Sequence, residues 1–274
     1  MRYRLLAADL DGTLVTDDKR ITDRTKRAVN ALTDRGGILV LASGRPTHGV
    51  WHVARDLGLD RKGGYILSYN GGELLDCVTG RVLFSVEIPP ERIREIVELS
   101  RKHRTAILSY EGDDIITESG SDPYVAGEAR NVRMNIKEVP DLISHITFPI
   151  VKLMMVGSEE QIRNLEPVVA KALGAEFSVF RSEAYHLEIL PAGIDKGSGL
   201  KRTLEYLNIP EAAAIACGDY DNDIPMLKAA GLGVAMANGC PEIRKCADYI
   251  TRSNEEDGVA AVIETFMLND KEDI

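Results

Sequence analysis

Two aspartates, Asp9 and Asp11, close an apolar run that begins at Leu5, and Gly12 follows at once. Carboxylates at the end of a buried strand are costly unless a cation or hydrogen-bond donors meet them, so the pair either makes a turn or holds a metal. Three further polar turns follow apolar runs: Ser43 with Gly44 and Arg45, Asn70 with Gly71, and Asp219 with Asn222 and Asp223. Lys196 stands between the last two, at the start of a predicted helix. Asp9, Asp11, Asp219 and Asp223 supply hard oxygen ligands of the number and type that suit Mg²⁺. Ser43, Lys196, Asn222 and backbone N–H groups near Gly12 and Gly44, Leu10 among them, suit phosphate oxygens. An aspartate attacks a phosphate ester poorly because both are anionic, but a divalent metal and an ammonium neutralise that repulsion. Covalent catalysis through a carboxylate then becomes feasible. Arg45 fits equally a substrate contact or an ion pair with a carboxylate of the site.

These turns can converge only if the strands carrying them share one sheet. "ITDRTKRAVNALTDRGG" predicts a helix with Thr22 as N-cap, Ala28, Val29 and Leu32 on its inner face and Gly36 as its stop. "ILVLASGRP" reads as a second buried strand, residues 47 to 57 as a helix, and "YILSYNGG" as a third strand ending in a turn. Strand, helix, strand, helix, strand predicts a parallel sheet with right-handed crossovers. In an open sheet of that kind, ligands bind outside the carboxyl ends of the strands.

The pattern changes near residue 82. "PPERIREIVELSRKHR" is an amphipathic helix with Ile93, Ile96, Val97 and Leu99 near its apolar stripe and Pro90 at its entry. A hairpin around Gly112 and Asp113, three short strands and a helix containing Pro167 complete an α+β insert. From about residue 192 the first pattern returns, with a helix carrying Leu200, Leu204 and Leu207, a buried strand ending in Asp219, and further alternation. The expected fold is α/β: a Rossmann-like, doubly wound parallel sheet formed by residues 1–82 and 191–274, interrupted by an α+β domain over residues 83–190. The acidic stretch after Asn269 is expected to fray.

The chain has 274 residues, 44% of them hydrophobic, and a formal charge of -10 with pI near 5.1. That balance argues against nucleic acid or an anionic membrane as a partner, since either requires a basic face. An anionic substrate would be repelled at long range and bound only where cations are concentrated, which is what a metal and Lys196 would supply. Cys77, Cys217, Cys240 and Cys246 show no CxxC spacing, so neither a zinc site nor a disulfide scaffold is signalled. No stretch reaches membrane-spanning length, and a cytoplasmic protein, monomeric or weakly homo-oligomeric, is expected.

"DLDGT" at 9–13, "LASGRP" at 41–46, "YNGG" at 69–72, "DKG" at 195–197 and "GDYDNDIPML" at 218–227 resemble, in order and separation, the haloacid dehalogenase superfamily and within it the Cof-type phosphatases. The resemblance covers essentially the whole chain, the insert matching the place and size of that group's α+β cap. It implies that Asp9 is the nucleophile that becomes an aspartyl phosphate, and that Asp11 is general acid and base. It implies too that Ser43 and Lys196 hold the phosphoryl group and that Asn222 touches phosphate. Asp219 and the Asp11 main-chain carbonyl would join Asp9 on Mg²⁺, with Asp223 supporting the metal. The implied substrate is a small phosphorylated metabolite, a sugar phosphate by preference of the group.

Two other functions are compatible with the same residues. A phosphotransferase or phosphomutase shares the aspartyl phosphate but delivers it to a sugar hydroxyl, whereas a signalling module would be phosphorylated without turnover. Asp11 argues against the latter, since an acid and base two residues past the nucleophile serves to destroy the intermediate. A dehalogenase has no use for Asp11 or for metal ligands such as Asp219. Elsewhere, His48, Trp51 and His52 read as one solvated or partly packed helix face, and Met154 and Met155 as core. Strand alternation leaves open whether His186 and Glu188 face a cleft or solvent.

Overall fold

The computed structural model describes residues 2–269, so the acidic stretch after Asn269 lies outside the described residues. The chain forms β1 (Leu5–Asp9), β2 (Ile38–Ala42), β3 (Tyr65–Ser68), β4 (Glu73–Asp76) and β5 (Val82–Ser85). It continues with β6 (Ala106–Glu111), β7 (Asp114–Thr117), β8 (Asn135–Glu138), β9 (Leu153–Val156), β10 (Phe177–Glu183) and β11 (His186–Pro191), and ends with β12 (Ala214–Gly218), β13 (Leu232–Ala235) and β14 (Tyr249–Ile250). Two compact units result, Met1–Phe84 with Asp195–Ile274, and Ser85–Ile194.

In the first unit the strand order is β14-β13-β12-β1-β2-β3-β4-β5. Every residue of β1 is buried because both faces of the sheet are covered. Leu6 and Ala8 pack with Val29, Leu32 and Val50 on one side. Leu5 and Ala7 pack with Leu200, Leu204 and Met226 on the other. The helix Asp23–Asp34 starts where the Thr22 side chain accepts from the Thr25 N–H, and it ends at Gly36, whose φ of 78° suits glycine. The chain moves outward from β1 to β2 and β3 on one side and later fills β12 and β13 on the other. The order therefore reverses beside β1, which makes its carboxyl end the binding crevice expected of doubly wound sheets.

The sheet is parallel from β14 to β3, but β4 runs antiparallel to β3, a departure from the all-parallel expectation. The cause is local. The Tyr69–Gly71 turn reverses the chain too tightly for a crossover helix, so the next strand returns along its neighbour.

The second unit has the order β10-β11-β9-β6-β7-β8. Its strands pair antiparallel except β7 with β8, and β6 and β7 join at Gly112 and Asp113. One face, carrying Ile107, Leu153, Met155, Leu187 and Ile189, is buried under Ile93, Ile96 and Val97 of the helix Pro90–Lys102 and under Ile162, Leu165 and Val169 of the helix Glu159–Leu173. Pro167 is accommodated without ending that helix. The opposite face carries buried polar groups, with Lys152 3.2 Å from Glu188 and His186 beside Glu128. The helix Pro123–Val132 and β8 have no counterpart in the sequence reading. All four cysteines are free. Among the described residues no helix is long and apolar enough to cross a membrane.

Candidate active site

Strand register sets the site. Asp9 ends β1 opposite Ala42, so Ser43 follows at the same level, and Ala8 lies opposite Cys217, which puts Gly218 and Asp219 beside Asp9. Gly12 turns the chain back with a φ of 81°, and a Cβ there would meet the Asp219 carboxylate at 2.4 Å. Only glycine satisfies both the turn and this approach. Thr13 then donates to Asp219 Oδ1 at 2.7 Å.

Lys196 is the first residue of the helix Lys196–Tyr206, whose cap is Asp195. A cation is disfavoured at a helix N-terminus by the backbone dipole, and this one is 1% exposed. Its Nζ donates to Asp9 Oδ1 at 2.5 Å and to Asp223 Oδ1 at 2.6 Å. Asp223 Oδ2 in turn accepts from the N–H groups of Asp219 and Tyr220, at 3.0 and 3.2 Å. Both oxygens of Asp223 are thus engaged, whereas Asp9 Oδ2 meets no donor among the described residues.

Asp9, Asp219 and Asp223 each offer an oxygen within 4.8 Å of the others. Three carboxylates face one ammonium here. Burial, opposed by Lys196 but reinforced by Asp223 and Asp219, pushes the Asp9 carboxyl up to about 8. Burial also raises Asp219, against the Thr13 hydrogen bond. For Lys196 burial works against the charge, but Asp223 and Asp9 outweigh it and hold the ammonium above its ordinary range. A donor set made only of carboxylate oxygens, with surplus negative charge, fits a hard divalent cation.

Asp11 points elsewhere. Arg45 grips its carboxylate with two parallel hydrogen bonds, Nε to Oδ2 at 2.9 Å and Nη2 to Oδ1 at 2.8 Å, and Lys19 Nζ adds a third at 2.7 Å. Burial alone would raise Asp11, but Arg45 and Lys19 outweigh it and hold the carboxyl below its ordinary value. Of the two readings of Arg45, the pair with a carboxylate of the site is present here. The Asp11 side chain stays apart from the carboxylate cluster.

Ser43 is buried, and its Oγ accepts from the Arg45 N–H at 3.1 Å. Asn222 Nδ2 donates to Asn70 Oδ1 at 3.3 Å. The turn after β1, the Ser43–Arg45 loop, Lys196, Asp219, Asn222 and Asp223 therefore meet at one sheet edge although they span the sequence. Lys19 and Asn238 carried no signal in the sequence, and Thr13 stood only as the last residue of "DLDGT". Lys19 reaches Asp11 because the chain returns between Thr16 and Arg20, and Asn238 donates to the Gly12 carbonyl at 2.8 Å from the turn after β13. Trp51 packs against the core and beneath Arg55, while His186 and Glu188 are buried in the second unit.

The profile of the haloacid dehalogenase-like hydrolases matches residues 6–263. A haloacid dehalogenase-like hydrolase from Bacteroides thetaiotaomicron superposes with a TM-score of 0.92 at 41% identity, over 96% of this chain and 98% of that one. A Streptococcus pyogenes serotype M6 protein, named as a proposed phosphatase, is 32% identical over 98% of this chain and 100% of its own. The 5-amino-6-(5-phospho-D-ribitylamino)uracil phosphatase YitU of Bacillus subtilis is 28% identical over 96% of this chain and 97% of its own. With the carboxylate cluster standing where the sheet reverses order, this chain belongs to the haloacid dehalogenase-like hydrolases, and within them to the phosphatases.

Proposed function

We propose that this enzyme hydrolyses phosphomonoesters of small metabolites, sugar phosphates foremost, through an aspartyl phosphate on Asp9. The observation that carries the reading is the buried Lys196 bridging Asp9 and Asp223. It leaves Asp9 Oδ2 without a donor and places a fixed positive charge beside it, as attack on an anionic ester requires. The sugar preference rests on the resemblance to Cof-type enzymes.

In the first step Asp9 Oδ2 bonds to phosphorus, the ester P–O bond breaks, and Asp11 gives its proton to the leaving alkoxide. In the second, Asp11 takes a proton from water, the water oxygen bonds to phosphorus, and the acyl phosphate P–O bond breaks to return Asp9 and release phosphate. As it stands, Asp11 is held ionised and so is set as a base. Acting as an acid requires it to exchange an ion pair with Arg45 or Lys19 for a proton. Ser43, Lys196, Asn222 and the backbone of Leu10, Gly12 and Gly44 hold the phosphoryl oxygens. Mg²⁺ would be held by Asp9, Asp219 and the Asp11 main-chain carbonyl, with Asp223 anchoring the loop behind them, and it would screen the charge shared by nucleophile and ester. We assign residues 83–190 the role of a cap that selects the leaving group.

A phosphate-release assay over sugar phosphates, nucleotides and cofactor phosphates, with Mg²⁺ and with chelator, tests this reading. Metal-dependent release from at least one sugar phosphate is expected. Release to water, unchanged when a sugar acceptor is added, separates hydrolysis from phosphoryl transfer. No release from any ester would favour the non-turnover reading.

A further inference from the structure

The turn after β3 holds three successive residues in the left-handed region, Tyr69 at φ 51°, Asn70 at 55° and Gly71 at 98°, and the first two are not glycine. Such conformations persist only where the surroundings over-determine them, and they cluster at functional sites. The surroundings here are specific. The Asn70 N–H donates to the Ser43 carbonyl at 3.0 Å and the Tyr69 N–H to the Arg45 carbonyl at 3.1 Å. On the other side Gly71 lies so close to the Lys196 helix that a Cβ would stand 2.4 Å from the Asp195 carbonyl oxygen. The turn is wedged between the loop carrying Ser43 and the helix carrying Lys196.

That wedge aims one side chain. The Asn70 amide lies against Gly44, where a Cβ would be 3.2 Å from both its nitrogen and its oxygen. Its Oδ1 accepts from Asn222 at 3.3 Å. Asn70 is only 9% exposed, yet its Nδ2 has no acceptor among the described residues. The Nδ2 atom itself is not shut off from solvent, so this donor stays open to a ligand. Its neighbours Ser43, Gly44 and Asn222 are the groups assigned to phosphate.

We propose that Asn70 is a further substrate-binding residue, its Nδ2 donating to an oxygen of the phosphoryl group. This rests on the phosphatase reading, and it gives the strained turn a role beyond the chain reversal it performs. Asparagine suits the position twice over, tolerating the left-handed backbone and offering an acceptor to Asn222 while keeping a donor for the ligand.

Two variants test it. Asn70→Asp keeps size, backbone tolerance and the acceptor for Asn222, but replaces the donor with negative charge. Asn70→Gly keeps the turn without strain and removes the amide. With p-nitrophenyl phosphate as substrate and Mg²⁺ present, the inhibition constant of inorganic phosphate is expected to rise about tenfold or more in Asn70→Asp and several-fold in Asn70→Gly, with KM rising alongside. Melting temperatures report folding separately. A phosphate inhibition constant and KM unchanged in either well-folded variant would overturn the proposal and leave Asn70 a turn residue only. Calorimetric titration of wild type and variants with inorganic phosphate and Mg²⁺ reads the same contact without turnover. If wild type hydrolyses no ester yet loses phosphate affinity with Asn70, the phosphatase reading fails while this inference stands.

Discussion

Two carboxylates on one turn, Asp9 and Asp11, live in opposite electrostatic settings. Asp9 is buried with two other carboxylates and one shared ammonium, and its carboxyl is pushed up to about 8. Asp11 side-chain atoms are 38% exposed, two cations hold it, and its carboxyl lies below the ordinary value. Like charges sharing a dry site drive one carboxyl up, and opposite charges drive another down. The pairing thus separates a group that wants a second cation from one that already has two. In the proposed mechanism the first takes the metal and covalent chemistry and the second the proton transfer.

The comparison breaks most sharply at Asp9. Replacing it with its amide, Asp9→Asn, is expected to lower steady-state phosphate release by a factor of at least about 10⁴, since the proposed intermediate forms on this carboxylate. Asp11→Asn is expected to lower release from an alkyl phosphate by about 10²–10⁴, and the first step with p-nitrophenyl phosphate far less, because that leaving group needs no proton. Pre-steady-state release of nitrophenolate checks the difference.

Lys196→Met strands Asp9 and Asp223 without their ammonium. About 3–5 kcal/mol of stability is expected to go in metal-free protein, measured by urea unfolding, and Mg²⁺ is expected to restore part of it. The pH dependence sharpens the contrast further. Because the folded Asp9 carboxyl lies near 8, above its unfolded value of 3.8, metal-free protein holds an extra proton between them and loses stability as pH rises through that window. Asp11 has the reverse sign: its ion pairs contribute above the unfolded value and are lost as pH falls through the lower folded one. Thermal unfolding of metal-free Asp9→Asn should show a flatter decline from pH 5 to pH 8 than wild type. The smallest effect belongs to Lys19→Ala, whose exposed pair is expected to contribute only about 0–1 kcal/mol; its signature is a shift in the pH–rate profile.

The sequence made the carboxyl edge of the sheet legible because Asp9, Ser43 and Asp219 each terminate an apolar run, and strand register does the rest. It did not reveal the Asp11 clamp, since Lys19 acts through a return of the chain that no periodicity marks. Arg45 could not be assigned from a loop motif alone, because its partner depends on which way Asp11 turns. The antiparallel β4 went unread for a similar reason: its reversal rests on left-handed Tyr69 and Asn70, where sequence leads one to look for glycine. In the second unit the amphipathic helices were plain from their spacing. Lys152, Glu188 and His186 were not legible as buried, since alternation fixes a shared face but not what covers it.

The most direct measurement is chemical identification of the phosphorylated side chain. Asp11→Asn, which slows breakdown of the intermediate more than its formation from p-nitrophenyl phosphate, is mixed with that substrate and Mg²⁺, quenched in acid, reduced with borohydride and sequenced by mass spectrometry. The account predicts homoserine at position 9 and at no other aspartate. Continued nitrophenolate release with Asp9 recovered unmodified, or homoserine at a different position, would contradict it.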